Sequence, residues 1–331
     1  MELHRHVDGA VDPWLVWHLA KRDGRDLPQK NLTELSTHLR IGRNLAVAEI
    51  MAKFDLVVSV MQTKENITRV FLEQIIQLAR ENIVYAELRF APQLHTRAGL
   101  TLEQVIRAAL HGMRQGMKAT RSNPNLPEVQ ANLILCLVRD LAPAESRQVA
   151  QKAILFQDAG VVGIDLACNE ADYPPELHFA AYQDTLNSRL WRTAHAGEFG
   201  GKPERNIRSA LYTLGCHRIA HAREITRHDK LLRYFADNQI HLEICPISNL
   251  TCGVVKHLAD LRLNQLREAG VPFSINSDAP ALFGASLSWN WFMTAAVFGL
   301  ELADIVALNK NALQSAFIRQ EEKDRLWQKW F

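Results

Sequence analysis

Short apolar runs alternate with longer amphipathic stretches from one end of the chain to the other. The short runs fall at about 2–6, 83–90, 129–138, 161–167, 191–196, 217–221, 240–245 and 272–278. Val161-Val162-Gly163-Ile164-Asp165-Leu166-Ala167 and His241-Leu242-Glu243-Ile244-Cys245 typify them, being brief and rich in branched residues, as buried strands are. The stretches between them carry helix punctuation. Asp12 can cap a helix whose first turn takes Pro13 and which Gly24 closes in a left-handed conformation. Thr101 and Gln104 form a capping box ahead of Val105-Ile106-Arg107-Ala108-Ala109-Leu110. Between Lys64 and Asn82, the residues Ile67, Val70, Phe71, Ile75, Ile76 and Leu78 make a core-facing stripe. The long gap between the first two runs predicts several helices, placed as an insertion over the mouth of a barrel. Strand–helix alternation predicts a parallel sheet, and eight repeats predict its closure into a (β/α)8 TIM barrel, an α/β fold. An open doubly wound sheet is the alternative. No internal repeat, low-complexity tract or linker divides the chain, so 1–331 is read as a single domain.

Composition narrows the class. The chain is 47% hydrophobic and 22% charged, enough apolar material for a large core. A formal net charge of +2 makes no electrostatic case for a nucleic-acid partner. No apolar run reaches the roughly 18 residues of a membrane span, and no charged-then-apolar leader is read ahead of the first strand. The five cysteines, Cys136, Cys168, Cys216, Cys245 and Cys252, are odd in number, widely spaced and form no C-x-x-C pair. That argues against a zinc ribbon or a disulfide framework and for a reducing, cytoplasmic setting.

Against this background the polar residues at strand ends stand out. Strand alternation throws His4 and His6 to one side, so both imidazoles can grip one ion. His195 in Thr193-Ala194-His195-Ala196-Gly197-Glu198 and Asp278 in Ser274-Ile275-Asn276-Ser277-Asp278 could complete a donor set suited to Zn²⁺. His4, His6, His195, His221 and Asp278 all fall at the carboxyl ends of predicted strands, where barrel enzymes keep their chemistry. Each residue also has a plainer reading. An H-x-H pair is common on exposed strands, Glu198 could be a carboxylate at a helix start, and His221 could be a buried, satisfied histidine. Glu87 and Arg89 read as a buried ion pair inside the barrel; His217, His228 and His241 read as ordinary surface or core residues. The glycines Gly197, Gly200 and Gly201 do not make a phosphate loop, because Lys202 is followed by Pro203.

Several ordered segments resemble the signatures of the adenosine deaminase family. These are His4-Arg5-His6-Val7-Asp8-Gly9, His195-Ala196-Gly197-Glu198, Arg218-Ile219-Ala220-His221 and Ser274-Ile275-Asn276-Ser277-Asp278. Met51-Ala52-Lys53-Phe54-Asp55 and Val84-Tyr85-Ala86-Glu87-Leu88-Arg89 are similar too, and the likeness runs from Met1 to about residue 320. The resemblance implies one zinc ion held by His4, His6, His195 and Asp278. It implies that His221 and Asp278 orient the attacking water and that Glu198 protonates a ring nitrogen. His6 and Asp8 would reach the sugar end of a nucleoside, although Asp8 also reads as a turn residue before Gly9. The implied activity is release of ammonia from adenosine or a related aminopurine, a small-molecule substrate. Phe54 is a candidate apolar wall of the pocket. Cytidine-type zinc deaminases need H-x-E with P-C-x-x-C, which this chain lacks. Two-metal amidohydrolases usually carry a modified lysine near the end of strand four, where Ala167-Cys168-Asn169 stands here.

Three positions depart from the family's pattern. Asp278 is followed by Ala279 where the family has a second aspartate that holds an edge nitrogen of the purine. Cys168 and Ala222 stand where the family has glycines. Cys168 could still offer its backbone amide to a ligand, while its side chain narrows the approach. The substrate contacts expected from the sequence are therefore His6, Asp8, Cys168 and Ala279. A deaminase of a different amino-heterocycle, and a nucleoside-like binder that has lost activity, are the alternatives these departures keep open.

Overall fold

The computed structural model describes residues 1–43, 45–200 and 202–331; Gly201 of the glycine cluster lies outside them. Nine strand segments pair in parallel: β1 (Glu2–His6), β2 (Tyr85–Phe90), β3 (Gln130–Val138), β4 (Val161–Ala167), β5 (Trp191–Arg192), β6 (His195–Ala196), β7 (Arg218–His221), β8 (His241–Ile244) and β9 (Phe273–Ile275). β1 to β5 follow one another in sheet order, and so do β6 to β9. One seam is closed by hydrogen bonds, from the His6 amide to Asp278 O at 2.7 Å and from the Asp278 amide to His4 O at 3.0 Å. The other is closed by the chain itself. Thr193 N donates to Ile164 O at 3.0 Å, and Ala220 N donates to Ala194 O at 3.0 Å. The barrel is a TIM barrel, with helices between its strands.

The run expected as one strand over 191–196 is thus two short pieces. Its first half takes its register from β4 and its second half from β7, which breaks the ladder at Thr193-Ala194. The run expected over 272–278 pairs only as Phe273–Ile275, apart from a single bridge between Arg5 and Asp278. The backbone there must turn, and Asp278 does so at φ 62.

Alternation along the strands separates two buried environments. Ala86, Leu88 and Phe90 of β2 pack outward into the main apolar core, while Glu87 and Arg89 are equally buried on the other side. The expectation that Glu87 and Arg89 make one ion pair is corrected here. Two residues on one face of one strand meet neighbours from other strands instead. Arg89 reaches Asp165 at 3.1 Å and Glu243 at 2.7 Å, and Glu87 meets Arg218 at 2.5 Å.

Four helices, Pro13–Arg22, Leu32–Leu39, Val47–Val60 and Lys64–Arg80, lie between β1 and β2. The Asp12 side chain accepts from Trp14 N at 2.7 Å, and Gly24 at φ 63 follows the helix end. Thr101 and Gln104 cap the helix Leu102–Arg121 reciprocally. Ile67, Val70, Phe71, Ile75 and Leu78 are fully buried, and Ile76 sits at the edge of their stripe. Among the described residues no helix is long and apolar enough to cross a membrane.

Candidate active site

The carboxyl ends of the strands converge on one point. His4 and His6 face inward from β1, His195 opens β6, His221 ends β7, and Asp278 follows β9. Backbone conformations rare for residues with a Cβ crowd this rim: Cys168 at φ 80, His221 at φ 63, Ala222 at φ 42 and Asp278 at φ 62. Each costs energy that the surrounding packing must hold in place, and such strain collects at functional sites. Cys168 and Ala222, the two positions where the sequence departs from glycine, are among them.

The donor atoms of His4, His6 and His195 lie within 4.8 Å of one another. His6 Nε2 stands 3.1 Å from His195 Nε2, and Asp278 Oδ1 is 3.7 Å from Nε2 of both His4 and His6. Donors around one tetrahedral zinc ion stand about 3.3 Å apart, so the spacing fits a single ion. His4, His221, Cys245 and Asp278 form a second overlapping group of the same kind. Burial pushes the Cys245 thiol well above its usual range, which keeps it a poor ligand beside the imidazoles.

The far side of the imidazoles is built as a metal site requires. His4 Nδ1 faces Glu243 Oε2 at 2.9 Å, and His195 Nδ1 faces Asp165 Oδ1 at 3.1 Å. Those contacts fix ring orientation and leave Nε2 for the centre. His221 Nδ1 lies 3.0 Å from the Asn249 side-chain amide. Nε2 of His4 and Nε2 of His221 are buried without a hydrogen-bond partner, a costly state that a bound ion or water would relieve. Burial first, then Arg89 for His4 and His195 for His6 and His221, holds these imidazoles well below their ordinary pKa. They are neutral at pH 7, as ligands must be.

Glu198 stands beside this cluster, with Oε2 3.6 Å from His221 Nε2. Burial, then the charges of Asp278 and Glu170, push its carboxyl well above the usual carboxylate range. That shift favours the protonated form, the state from which a carboxyl can give a proton. Burial also raises Asp278, and it raises Asp8 to about 7.

A cavity of about 510 Å³ opens over the cluster, lined by His6, Asp8, Cys168, His195, Glu198 and Asp278 among others. Its roof comes from the helix Val47–Val60, through Val47, Ile50, Met51, Phe54 and Val58. Of the four expected substrate contacts, His6, Asp8 and Cys168 lie on its wall. Ala279 does not. It is fully buried against Gly9, so closely that a Cβ added to Gly9 would sit 2.4 Å from its own. Sequence reasoning passed over Glu243, Asp165 and Asn249. The first two had a readable signal, an acid inside an apolar strand, whereas Asn249 sits in the helix Pro246–Thr251 with none.

The model of the family described as adenosine deaminase matches residues 1–330. An adenosine deaminase of Clostridium kluyveri is 32% identical, the match covering 99% of this chain and 92% of that protein. Among solved structures, adenine deaminase from Arthrobacter aurescens superposes with a TM-score of 0.87 at 27% identity, covering 98% of this chain and 95% of that one. An Arabidopsis N6-mAMP deaminase gives 0.85 at 24% identity over 98% and 95%, a likeness of fold. A match from end to end, and a relative almost one-third identical over nearly its whole length, leave one conclusion: the chain belongs to the adenosine deaminase family.

Proposed function

We propose that the protein is a zinc-dependent hydrolytic deaminase of an unphosphorylated aminopurine, adenosine or its free base, and that residues 1–331 act as one cytoplasmic unit. The observation that carries this is the convergence of His4, His6, His195 and Asp278 on one point with the Glu198 carboxyl alongside. Bound there, one zinc ion would supply a water acidified to a pKa of about 7. Asp278 and His221 are the residues that would orient such a water and receive its proton. Glu198 gives its proton to a ring nitrogen, which makes the neighbouring amine-bearing carbon electrophilic. With the oxygen added at that carbon, the hydroxyl proton would return to Glu198 and the proton held at Asp278 and His221 would pass to the amine, so that ammonia leaves and both groups regain their starting states.

Charge on the cavity wall selects the substrate class. Asp55 and Asp140 line it against one lysine or arginine among the described residues, Arg97, which is already paired to Asp55 at 2.6 Å. A phosphate would meet like charge and find no free partner. A nucleoside or base keeps its neutral ring against Phe54 and the apolar roof. The Arabidopsis relative in fold acts on a nucleotide; this wall argues for the uncharged substrate. The five cysteines are all free thiols, which suits a reducing interior.

The test is ammonia release by zinc-loaded protein from adenosine, adenine and AMP, with zinc content measured in the same sample. Adenosine or adenine should turn over at least tenfold faster than AMP, and Glu198→Gln should lower kcat about a thousandfold while zinc stays bound. An unaffected Glu198→Gln variant would point to a binder without catalysis.

A further inference from the structure

Glu170 lies in the turn after β4, two residues past Cys168, and is buried at 2% exposure. Among the described residues its carboxylate makes no salt bridge. It accepts three consecutive backbone N–H groups of the loop after β6, from Gly197 at 2.6 Å, Glu198 at 3.0 Å and Phe199 at 3.2 Å. The Asn206 side-chain amide adds a fourth bond at 2.9 Å. Successive amides turned toward one anion form a nest, and here the anion belongs to the protein. The loop can point its amides inward because Gly197 adopts φ 81 and Gly200 φ 89. Gly200 also packs against the turn that carries Glu170: a Cβ there would lie 2.7 Å from Ala171 Cα. Asn169 shapes that turn, its Oδ1 accepting from Ala171 N at 3.1 Å.

From this we infer that Glu170 is a positioning residue, a clamp that holds the backbone of Gly197–Phe199 so that the Glu198 carboxyl stays at its working position beside His221. The inference rests on the proton-donor reading of Glu198. A carboxylate here satisfies four donors with two oxygens, and no other side chain of its size can. Glutamine keeps one accepting oxygen but turns its NH2 group toward two of the four donors, so on that side the loop would have to open. Because Glu170 and Cys168 share one turn, the clamp also ties a wall of the cavity to the loop bearing the acid.

The experiment is a double-mutant cycle in the zinc-loaded full chain, with adenosine or whichever aminopurine turns over fastest. Glu170→Gln should lower kcat about a hundredfold, change KM less than threefold and leave zinc content unaltered. In a Glu198→Gln background the same change should cost less than threefold, because the group being positioned is gone. Amide hydrogen exchange over Gly197–Phe199 should quicken at least tenfold in Glu170→Gln, with the barrel strands unchanged. Glu170→Asp, which keeps the charge but shortens the reach, should lose about tenfold in kcat and carries the cycle if the glutamine variant does not fold. A variant that keeps more than a third of its kcat, or one that loses as much with Glu198→Gln as without it, overturns the inference. Unchanged exchange over Gly197–Phe199 overturns the clamp whatever the activity. A wild-type protein that deaminates nothing overturns the functional reading instead, and the exchange result separates the two failures.

Discussion

The barrel interior holds two layers of buried charge built on opposite plans. In the floor, Glu243 and Glu87 are filled. Glu243 takes His4 Nδ1 at 2.9 Å and Arg89 at 2.7 Å on one oxygen, and Thr193 at 3.1 Å and Arg218 at 2.7 Å on the other. Glu87 takes Tyr85, Arg218 and the Phe317 amide. Burial works against ionisation there, yet Arg89 and Arg218 hold Glu243 down at about 2. A few ångströms above, at the mouth, burial wins: Glu198 and Asp278 are pushed up, the imidazoles of His4, His6 and His221 are pushed down, and two Nε2 atoms lack partners. The two layers share His4, whose Nδ1 belongs to the floor and whose Nε2 belongs to the mouth. Charges paired in advance make a rigid base; groups kept neutral and unpaired above it retain the capacity to bind an ion and move protons.

The sharpest way to break this contrast is to empty the floor. Glu243→Gln removes one charge, leaves Arg89 with Asp165 alone and Arg218 with Glu87 alone, and turns donors toward donors. Breaking a buried pair from one side costs about 3–5 kcal/mol, so chemical denaturation should show a loss of that size. Through His4, the same variant should weaken zinc binding about 10- to 100-fold. A variant as stable as wild type, with unaltered zinc affinity, would mean that the floor does not support the mouth.

A smaller effect comes from a buried histidine that belongs to neither layer. His95 contacts Met61 O through Nδ1 at 3.0 Å, and its Nε2 is unpartnered like that of His4. It joins no cluster of metal-capable side chains among the described residues. Burial lowers its pKa to about 4 from an ordinary 6.5. The folded protein therefore binds fewer protons here than the unfolded chain does, and stability falls as pH drops from 6.5 toward 4. Between pH 7 and pH 5 this one group should cost about 2 kcal/mol. His95→Asn, which keeps a donor for Met61 O, should remove that share in urea titrations at the two pH values. Zinc loading should leave the share unchanged, since an isolated orphan nitrogen has no ion to wait for.

What the sequence disclosed follows from which information is local. The spacing of His4 and His6 states a common face because a strand's period is two residues, and Asp278 lies where the eighth apolar run ends. Pattern therefore sufficed for the barrel, while the set of residues expected at its mouth rested also on the resemblance to the family. The partners of Glu87, Arg89 and Glu243 depend on register among separate strands, and no single segment carries that. The fifth strand, Trp191-Arg192-Thr193-Ala194-His195-Ala196, reads as one run because no glycine or proline interrupts it, while its break at Thr193-Ala194 comes from a change of neighbour. Ala279 follows an expected ligand in sequence, but the turn at Asp278 carries it behind Gly9 and off the cavity wall. Glu170 spends its carboxylate on backbone amides, which every sequence has and none advertises.

The last prediction concerns strain at the mouth, where the contrast with the floor extends to the backbone itself. Cys168 holds φ 80, a conformation that costs a residue with a Cβ about 1–3 kcal/mol and glycine nothing comparable. Glycine gives back about 0.5–1 kcal/mol through the freedom it gains in the unfolded chain. Cys168→Gly should therefore stabilise the protein by a net amount of about 1 kcal/mol, read from urea unfolding. Cys168→Ala isolates the cause: it removes the sulfur from the cavity wall yet keeps the Cβ, so the strain remains and no stabilisation should appear. The two variants also separate strain from steric hindrance in catalysis. Both take the thiol out of the substrate's path, so both should lower KM to a similar extent if the side chain narrows the approach. If only the glycine variant improves KM, the strained backbone rather than the sulfur limits entry. If glycine fails to stabilise, the left-handed turn at Cys168 is not held against its own preference, and the mouth stores less strain than its dihedral angles imply.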